Sequence, residues 1–214
     1  MVHRTHVVAL AALALAACER DAPSLRPVAP TCDARMVALV ARGSAYCIDR
    51  REAVIREGRA VPATDVLPSS GISFFDAEGA CRASGYRLCT GDEWTRACAG
   101  PDGARHFPYG ERWEPHRCNT SDWNDAPDLP LRTSGALEGC VSPEGVFDLS
   151  GNVWEWTSER DPSGSLRELR GGGAHNDEEG AECVPDDHLY LAPDRDQGLL
   201  GFRCCAPARA SHAR

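Results

Sequence analysis

Apolar and polar residues follow several distinct rhythms along this chain, and each rhythm predicts a different element. The first is a short unbroken apolar run, Val7 to Ala17, behind His3, Arg4 and His6. It is too short to cross a bilayer as a mature helix and has the layout of a secretory signal peptide. The second rhythm is helical. Ser73 to Ser84 (SFFDAEGACRAS) begins with a Ser73/Asp76 capping pattern and stops before Gly85, which predicts a first helix carrying Cys81. Thr90 and Glu93 form a second capping box, and Trp94, Ala97 and Cys98 then recur at helical spacing up to Gly100. That predicts a second helix, carrying Cys98. Near the end, Gly201 to Cys205 (GFRCC) is short and apolar at Phe202. It reads as a final strand, and since successive strand residues face opposite sides, Cys204 and Cys205 must seek different partners.

The end of the leader refines its reading. Leu15 to Cys18 (LAAC) places cysteine at the first mature position and resembles the bacterial lipobox, in which that sulfur is acylated. Glu19 to Pro30 (ERDAPSLRPVAP) has three prolines and little apolar content, so it predicts an extended tether. The expected organisation is a signal peptide over 1–17, a lipidated Cys18 and tether over 18–30, one domain over 31–207 and a flexible tail over 208–214. Removing the leader leaves 197 of the 214 residues, enough for one substantial core. These features place the protein at the bacterial cell envelope, as a membrane-anchored lipoprotein facing the periplasm or the exterior.

Composition narrows the classes further. The net charge is −9, and loss of Arg4 with the leader takes it to −10. Nucleic acid is therefore not an expected partner, since no basic stripe is present. All 23 basic residues are arginine, a bias that GC-rich coding explains without a functional cause. Twenty glycines and fifteen prolines, with two early helices and late strand-like pieces, predict an α+β domain with much irregular structure. Of the eleven cysteines, a lipidated Cys18 leaves ten, an even number that in an exported protein argues for up to five disulfides. No CxxC offers two zinc ligands from one turn.

Three segments share a common likeness. Gly145 to Thr157 (GVFDLSGNVWEWT), Arg170 to Gly173 (RGGG) and Gly201 to Cys204 (GFRC) together resemble the sulfatase-modifying-factor family, whose founding members are the formylglycine-generating enzymes. Met36 to Ala53 is similar to the family's opening strand, and YRLCTGDEW to its helix–strand–helix segment. The resemblance implies a single C-type-lectin-like domain, stapled by disulfides. By position it pairs Cys81 with Cys204 and Cys98 with Cys183. The first bond would close a loop of about 120 residues and stabilise the fold by roughly 4–5 kcal/mol. On separate grounds, Cys205 on the other strand face is a candidate for Cys89, while Cys118 with Cys140 and Cys32 with Cys47 would each staple a short loop. Sequence alone leaves connectivity open.

The resemblance also implies calcium. Family members hold it on the segment matching Asp148 to Glu155, through the side chains of Asp148 and Glu155 and the carbonyls of Gly151 and Val153. A hard cation takes six to eight oxygens, and an extracellular site of this kind has a dissociation constant of about 0.1–1 mM. The alternative is that both carboxylates hydrogen-bond their own turn while Trp154 and Trp156 fill the core. A second family site would use Asn119 and the carbonyl of Thr120, with Asp122, Asp125 and Asp128 as candidates for its carboxylate.

Copper is another matter. The catalytic members bind Cu(I) between two thiolates beyond the glycine motif, because a soft ion prefers soft ligands. Aligned from RGGG, those positions are Asn176 and Ala181, and Gly173 and Ala174 replace the motif's serine and aromatic residue. The interval contains only Cys183. A second enzymatic branch, with histidine-ligated iron, needs an HxxxH helix, whereas His106, His116, His175, His188 and His212 are scattered. His175 lies with Asn176 to Glu179 where the family groove would be, a run that otherwise reads as a solvated loop. Phosphate loops, GxSxG elbows and HExxH helices are absent. Two functions remain. One is a non-catalytic lipid-anchored scaffold holding a protein, peptide or glycan, with Trp113 and Trp123 as candidates for its ligand surface. The other is an oxidoreductase-type protein-modifying enzyme acting on an exported substrate.

Overall fold

A computed structural model of the chain describes residues 31–123, 131–186 and 188–209. The signal peptide, Cys18, the tether, Asp125, Asp128 and His212 lie outside the described residues. In chain order the strands and helices are β1 (Met36–Ala41), β2 (Ser44–Asp49), β3 (Ala53–Arg56), β4 (Arg59–Pro62), α1 (Phe74–Ala83), β5 (Arg87–Leu88) and α2 (Gly91–Ala99). They continue with β6 (Trp154–Arg160), β7 (Arg167–Arg170), β8 (Leu189–Leu191), β9 (Leu200–Gly201) and β10 (Cys204–Pro207). One sheet runs β1-β2-β10-β5, a second runs β8-β7-β6-β9, and β3 and β4 form a separate hairpin. Every pairing is antiparallel except that of β6 with β9.

Two tight turns set the early registers. Arg42 and Gly43, at φ 46° and 81°, separate β1 from β2, and Glu57 and Gly58, at φ 51° and 74°, separate β3 from β4. Two consecutive left-handed residues give the turn whose twist matches that of a right-handed strand pair. The registers Ala41↔Ser44 and Arg56↔Arg59 follow from them.

Both helices start at their capping residues. The Ser73 hydroxyl accepts the Asp76 backbone N–H at 3.1 Å and donates to its carboxylate at 2.7 Å. Thr90 and Glu93 complete a reciprocal box at 3.2 and 3.0 Å. Each cap satisfies donors that the first turn leaves unpaired, and losing one costs about 1 kcal/mol. α1 buries Phe74, Ala77, Ala80 and Cys81, and α2 buries Trp94, Ala97 and Cys98. Those two stripes face two different cores. The first gathers Phe74, Leu88, Trp156, Leu169 and Phe202, and the second gathers Tyr46, Ile48, Trp94, Val146 and Leu149.

The end of the chain departs from expectation. Gly201 to Cys205 is not one strand: Leu200–Gly201 pairs with β6 in one sheet, and Cys204–Pro207 crosses to pair with β2 and β5 in the other. The break falls at Phe202 and Arg203, because the Arg203 guanidinium is drawn into the interior by Glu155. Alternation still holds beyond it, since Cys204 lies in the first core and Cys205 in the second. Ordered pairing also runs past residue 207. Arg209 exchanges two backbone hydrogen bonds with Thr31, each 3.1 Å. Among the described residues no helix is long and apolar enough to cross a membrane.

Candidate functional site

Sulfur comes first, because the resemblance ties chemistry to it. Ten cysteines fall among the described residues, and all ten are bonded: Cys32–Cys47, Cys81–Cys204, Cys89–Cys205, Cys98–Cys183 and Cys118–Cys140. Cys183 is fully buried against α2 through Cys98. The positions of the family's two thiolates are held by other bonds. Asn176 accepts the Gly173 N–H on its side-chain oxygen at 2.8 Å and the Ser121 N–H on its carbonyl at 3.0 Å. Ala181 is buried, and its carbonyl accepts the Ser150 hydroxyl at 2.5 Å. His175, Asp177, Glu178 and Glu179 are exposed.

Beside this loop lies a groove of about 470 Å³ lined by Trp154, Glu179, Gly180, Glu182, Pro185 and Asp186. Its walls are acidic and carry one aromatic face. His106 stands 3.8 Å from Glu182 at its edge, and the His106 carbonyl accepts the Cys183 N–H at 2.8 Å.

The turn from Asp148 to Glu155 sits deep in the molecule. Asp148 and Asn152 adopt left-handed φ of 55° and 60°. Gly151 lies so close to Asn119 that a Cβ there would collide with the Asn119 carbonyl. The Asp148 carboxylate accepts from the Ser134 hydroxyl at 2.7 Å and the Gly135 N–H at 2.5 Å. Glu155 is met by Arg203, whose Nη2 and Nε reach its two oxygens at 2.6 Å each, and by the Trp94 indole N–H at 2.8 Å. Arg203 also donates to the carbonyls of Asp49 and Phe147, at 3.1 and 2.8 Å.

A third carboxylate completes this cluster, and sequence reading passed over it. Glu52 is fully buried and accepts from the Asn152 side chain at 2.6 Å and the Val153 N–H at 3.3 Å. Burial, with Asp148 and Glu155 nearby, pushes its carboxyl well above the usual range. Burial likewise raises Asp148 to about 6, against the pull of Ser134, Gly135 and Arg203. Desolvation works against the Arg203 charge, yet the surrounding carboxylates more than compensate and raise its pKa. The sequence signal for Glu52 was its place in an acidic-basic run, Asp49 to Glu52, which reads equally well as surface.

Among the described residues no group of three or more His, Cys, Asp or Glu side chains is placed to hold a metal ion. The set named for calcium counts two carboxylates, Asp148 and Glu155, both hydrogen-bonded within the protein. On the second set, Asn119 donates to the Asn152 side-chain oxygen at 2.9 Å and accepts from the Arg132 Nε at 3.3 Å. The Thr120 hydroxyl donates to Asp122, which also accepts the His116 N–H. Arg132 lies over the Trp123 ring, 4.5 Å from its centroid. Trp113 instead packs on Phe107, with ring centroids 5.3 Å apart, so the two tryptophans serve different clusters.

Comparisons with known proteins agree with this arrangement. The sulfatase-modifying factor enzyme 1-like domain family matches residues 37–208. The inactive C-alpha-formylglycine-generating enzyme 2 of Mus musculus is 32% identical over 156 residues, covering 66% of this chain and 50% of that protein. The formylglycine-generating enzyme of Streptomyces coelicolor is 31% identical over 169 residues, covering 66% and 53%. The chain thus spans about half the length of these relatives. Among solved structures, Treponema denticola variable protein 1 aligns with a TM-score of 0.63 at 15% identity, covering 80% of this chain and 94% of that one. PvdO from Pseudomonas aeruginosa aligns at 0.59 and 16%, covering 76% and 80%. These likenesses show the fold, which is C-type-lectin-like and formylglycine-generating-enzyme-like, with mixed helix and sheet and few helices. With the family match spanning most of its described length, the chain belongs to the sulfatase-modifying factor enzyme 1-like domain family.

Proposed function

We propose that this chain is a non-catalytic binding or scaffold module, exported and held at the bacterial cell envelope by a lipid on Cys18. The observation that carries the reading is the sulfur inventory. Asn176 and Ala181 stand at the thiolate positions, and Cys183 is committed to Cys98. A soft copper ion has no soft ligand pair there. A similar protein that bears the name inactive supports the same reading. Five crosslinks make a rigid platform, and the groove beside Trp154 is a surface on which a protein, peptide or glycan can be held.

Calcium belongs to this proposal as a structural ion. Three buried carboxylates, Glu52, Asp148 and Glu155, face one guanidinium, Arg203. The local excess of negative charge and the all-oxygen donors suit a hard divalent cation. Asp148 and Glu155, with the carbonyls of Gly151 and Val153, would hold it, Glu155 sharing its charge with Arg203. Bound calcium would neutralise the cluster and rigidify the turn.

The test is to purify the intact lipoprotein from its own membranes. The scaffold reading expects a partner to copurify in fixed proportion, and expects no formylglycine when cysteine-containing peptides are supplied with copper and oxygen. Turnover of such a peptide overturns it.

A further inference from the structure

A second polar cavity, of about 330 Å³, lies where the first turn of α2 meets the middle of the β8-β7-β6 sheet. Part of its lining comes from one sheet face. Tyr190 is paired in register with Glu168, and Arg170 lies two residues along β7 on the same side. The Thr157 hydroxyl reaches Glu168 from β6 at 2.9 Å. Trp154 lines the acidic groove and not this cavity.

Glu168 is 2% exposed and its bonds are spoken for. Besides Thr157 it takes Arg170 Nη2 at 2.7 Å and His188 Nδ1 at 2.7 Å. It also presses against the start of α2, where a Cβ on Gly91 would collide with its carboxylate. A carboxylate only accepts, so Nδ1 of His188 carries the proton. At the rim Asp92 is held by Arg42 at 2.8 Å, which leaves Glu159 beside Arg160.

Arg170 is the unbalanced member. Its side chain is 7% exposed, and its Nε and Nη1 have no acceptor. A buried guanidinium with donors left unmade costs about 1–3 kcal/mol for each unpaired group. The carboxylates that line the cavity, Asp92, Glu159 and Glu168, leave these two donors unmet. The N-terminus of a nine-residue helix opens on the same cavity and favours negative charge there.

We propose that this cavity is a binding site for a small oxyanion, a carboxylate or phosphate group, received by Arg170 with Arg160 at the rim. The two free nitrogens are closed from solvent. His188, whose side chain is 37% exposed and whose Nδ1 lies 3.2 Å from the bonded Nη2 of Arg170, borders the site and would turn aside to admit a ligand. The site is separate from the groove, and Arg170 is the register partner of Glu155 in the carboxylate cluster.

The experiment follows the Arg170 Nε–H resonance of the nitrogen-15-labelled mature protein during titration with acetate, inorganic phosphate and chloride at constant ionic strength. A saturable shift with acetate or phosphate, absent with chloride, supports the site, and the stronger of the two arms identifies the source of the oxyanion. Read through the backbone amide of Gly91, which also lines the cavity, in place of the lost Arg170 signal, R170Q should weaken binding at least about tenfold, while H188A should retain or tighten it. Because R170Q removes a buried charge, H188A and R160Q serve if it fails to fold, R160Q weakening binding without loss of structure. An Arg170 resonance that does not move with either oxyanion overturns the proposal, as does equal binding by R170Q.

Discussion

Arg203 and Glu155 meet in the driest part of the molecule, each 1% exposed, with two guanidinium nitrogens 2.6 Å from the two carboxylate oxygens. The pair joins strands that are otherwise in different sheets, since Glu155 is in β6 and Arg203 leads directly into β10. Removing one partner strands the other charge, which typically costs about 3–5 kcal/mol. Arg203→Met should therefore lower stability by that amount in urea unfolding, whereas the double variant Arg203→Met with Glu155→Leu should recover much of the loss. A single variant as stable as the parent would show that the pair contributes nothing.

Calcium should raise the melting temperature of the mature protein at neutral pH, with half the effect reached at about 0.1–1 mM, and magnesium should do so less. Asp148→Asn should abolish the calcium response. Isothermal titration of chelator-treated protein checks this, and heat-free titration with no change in melting temperature counts against the ion.

With Cys18 acylated as proposed, thiol titration of the denatured, unreduced protein should find no reactive sulfur. Cys98→Ala should release one, from Cys183, and should lower stability by about 4 kcal/mol through loss of a loop closure spanning 85 residues. Two free thiols in the parent protein would reopen the copper reading.

Acid should weaken the anchoring of α2. Burial opposes the charged form of Glu144, but hydrogen bonds from Arg105, its own backbone and Arg96 outweigh it and hold its pKa below the ordinary glutamate value. A depressed carboxylate contributes stability above its unfolded pKa, and that contribution is lost as pH falls through the folded one. Melting temperature should thus decline below about pH 4, and Glu144→Gln should flatten that decline while lowering stability at pH 7 by about 1 kcal/mol. Parallel profiles for the two proteins would exclude Glu144 as a contributor.

Cys18→Ser should move the protein from the membrane fraction to the soluble fraction without changing its melting temperature. Cell fractionation with labelled palmitate reads both the anchor and the sulfur that carries it. Retention of the serine variant on the membrane would refute the lipid anchor.

Local chemistry was the legible part of this chain. Ser73 with Asp76 and Thr90 with Glu93 lie three residues apart, so the helix starts could be read without any tertiary knowledge. The hairpin at Glu57 and Gly58 obeys the same local logic, and attention to the cysteines passed over it. What escaped was set by distance. Arg203 breaks the GFRCC run because of a partner 48 residues away, and Glu52 joins the carboxylate cluster through Asn152, 100 residues further on. Residue type alone places arginine and glutamate outside, so only the assembled interior reveals that these two are within it. The Glu168, Arg170 and His188 grouping escaped for the same reason, since it needs β7 and β8 in register.

Cys204 and Cys205 tie neighbouring residues to opposite cores, the first to Cys81 and the second to Cys89. On the proposed export, an oxidising compartment would meet Cys81 and Cys89 long before their partners emerged, so both thiols would have to wait, or be shielded from wrong pairing, until the segment beyond Arg203 had crossed. Maturation would then be gated by translocation of that strand, and would call on a disulfide isomerase or an equally patient oxidant.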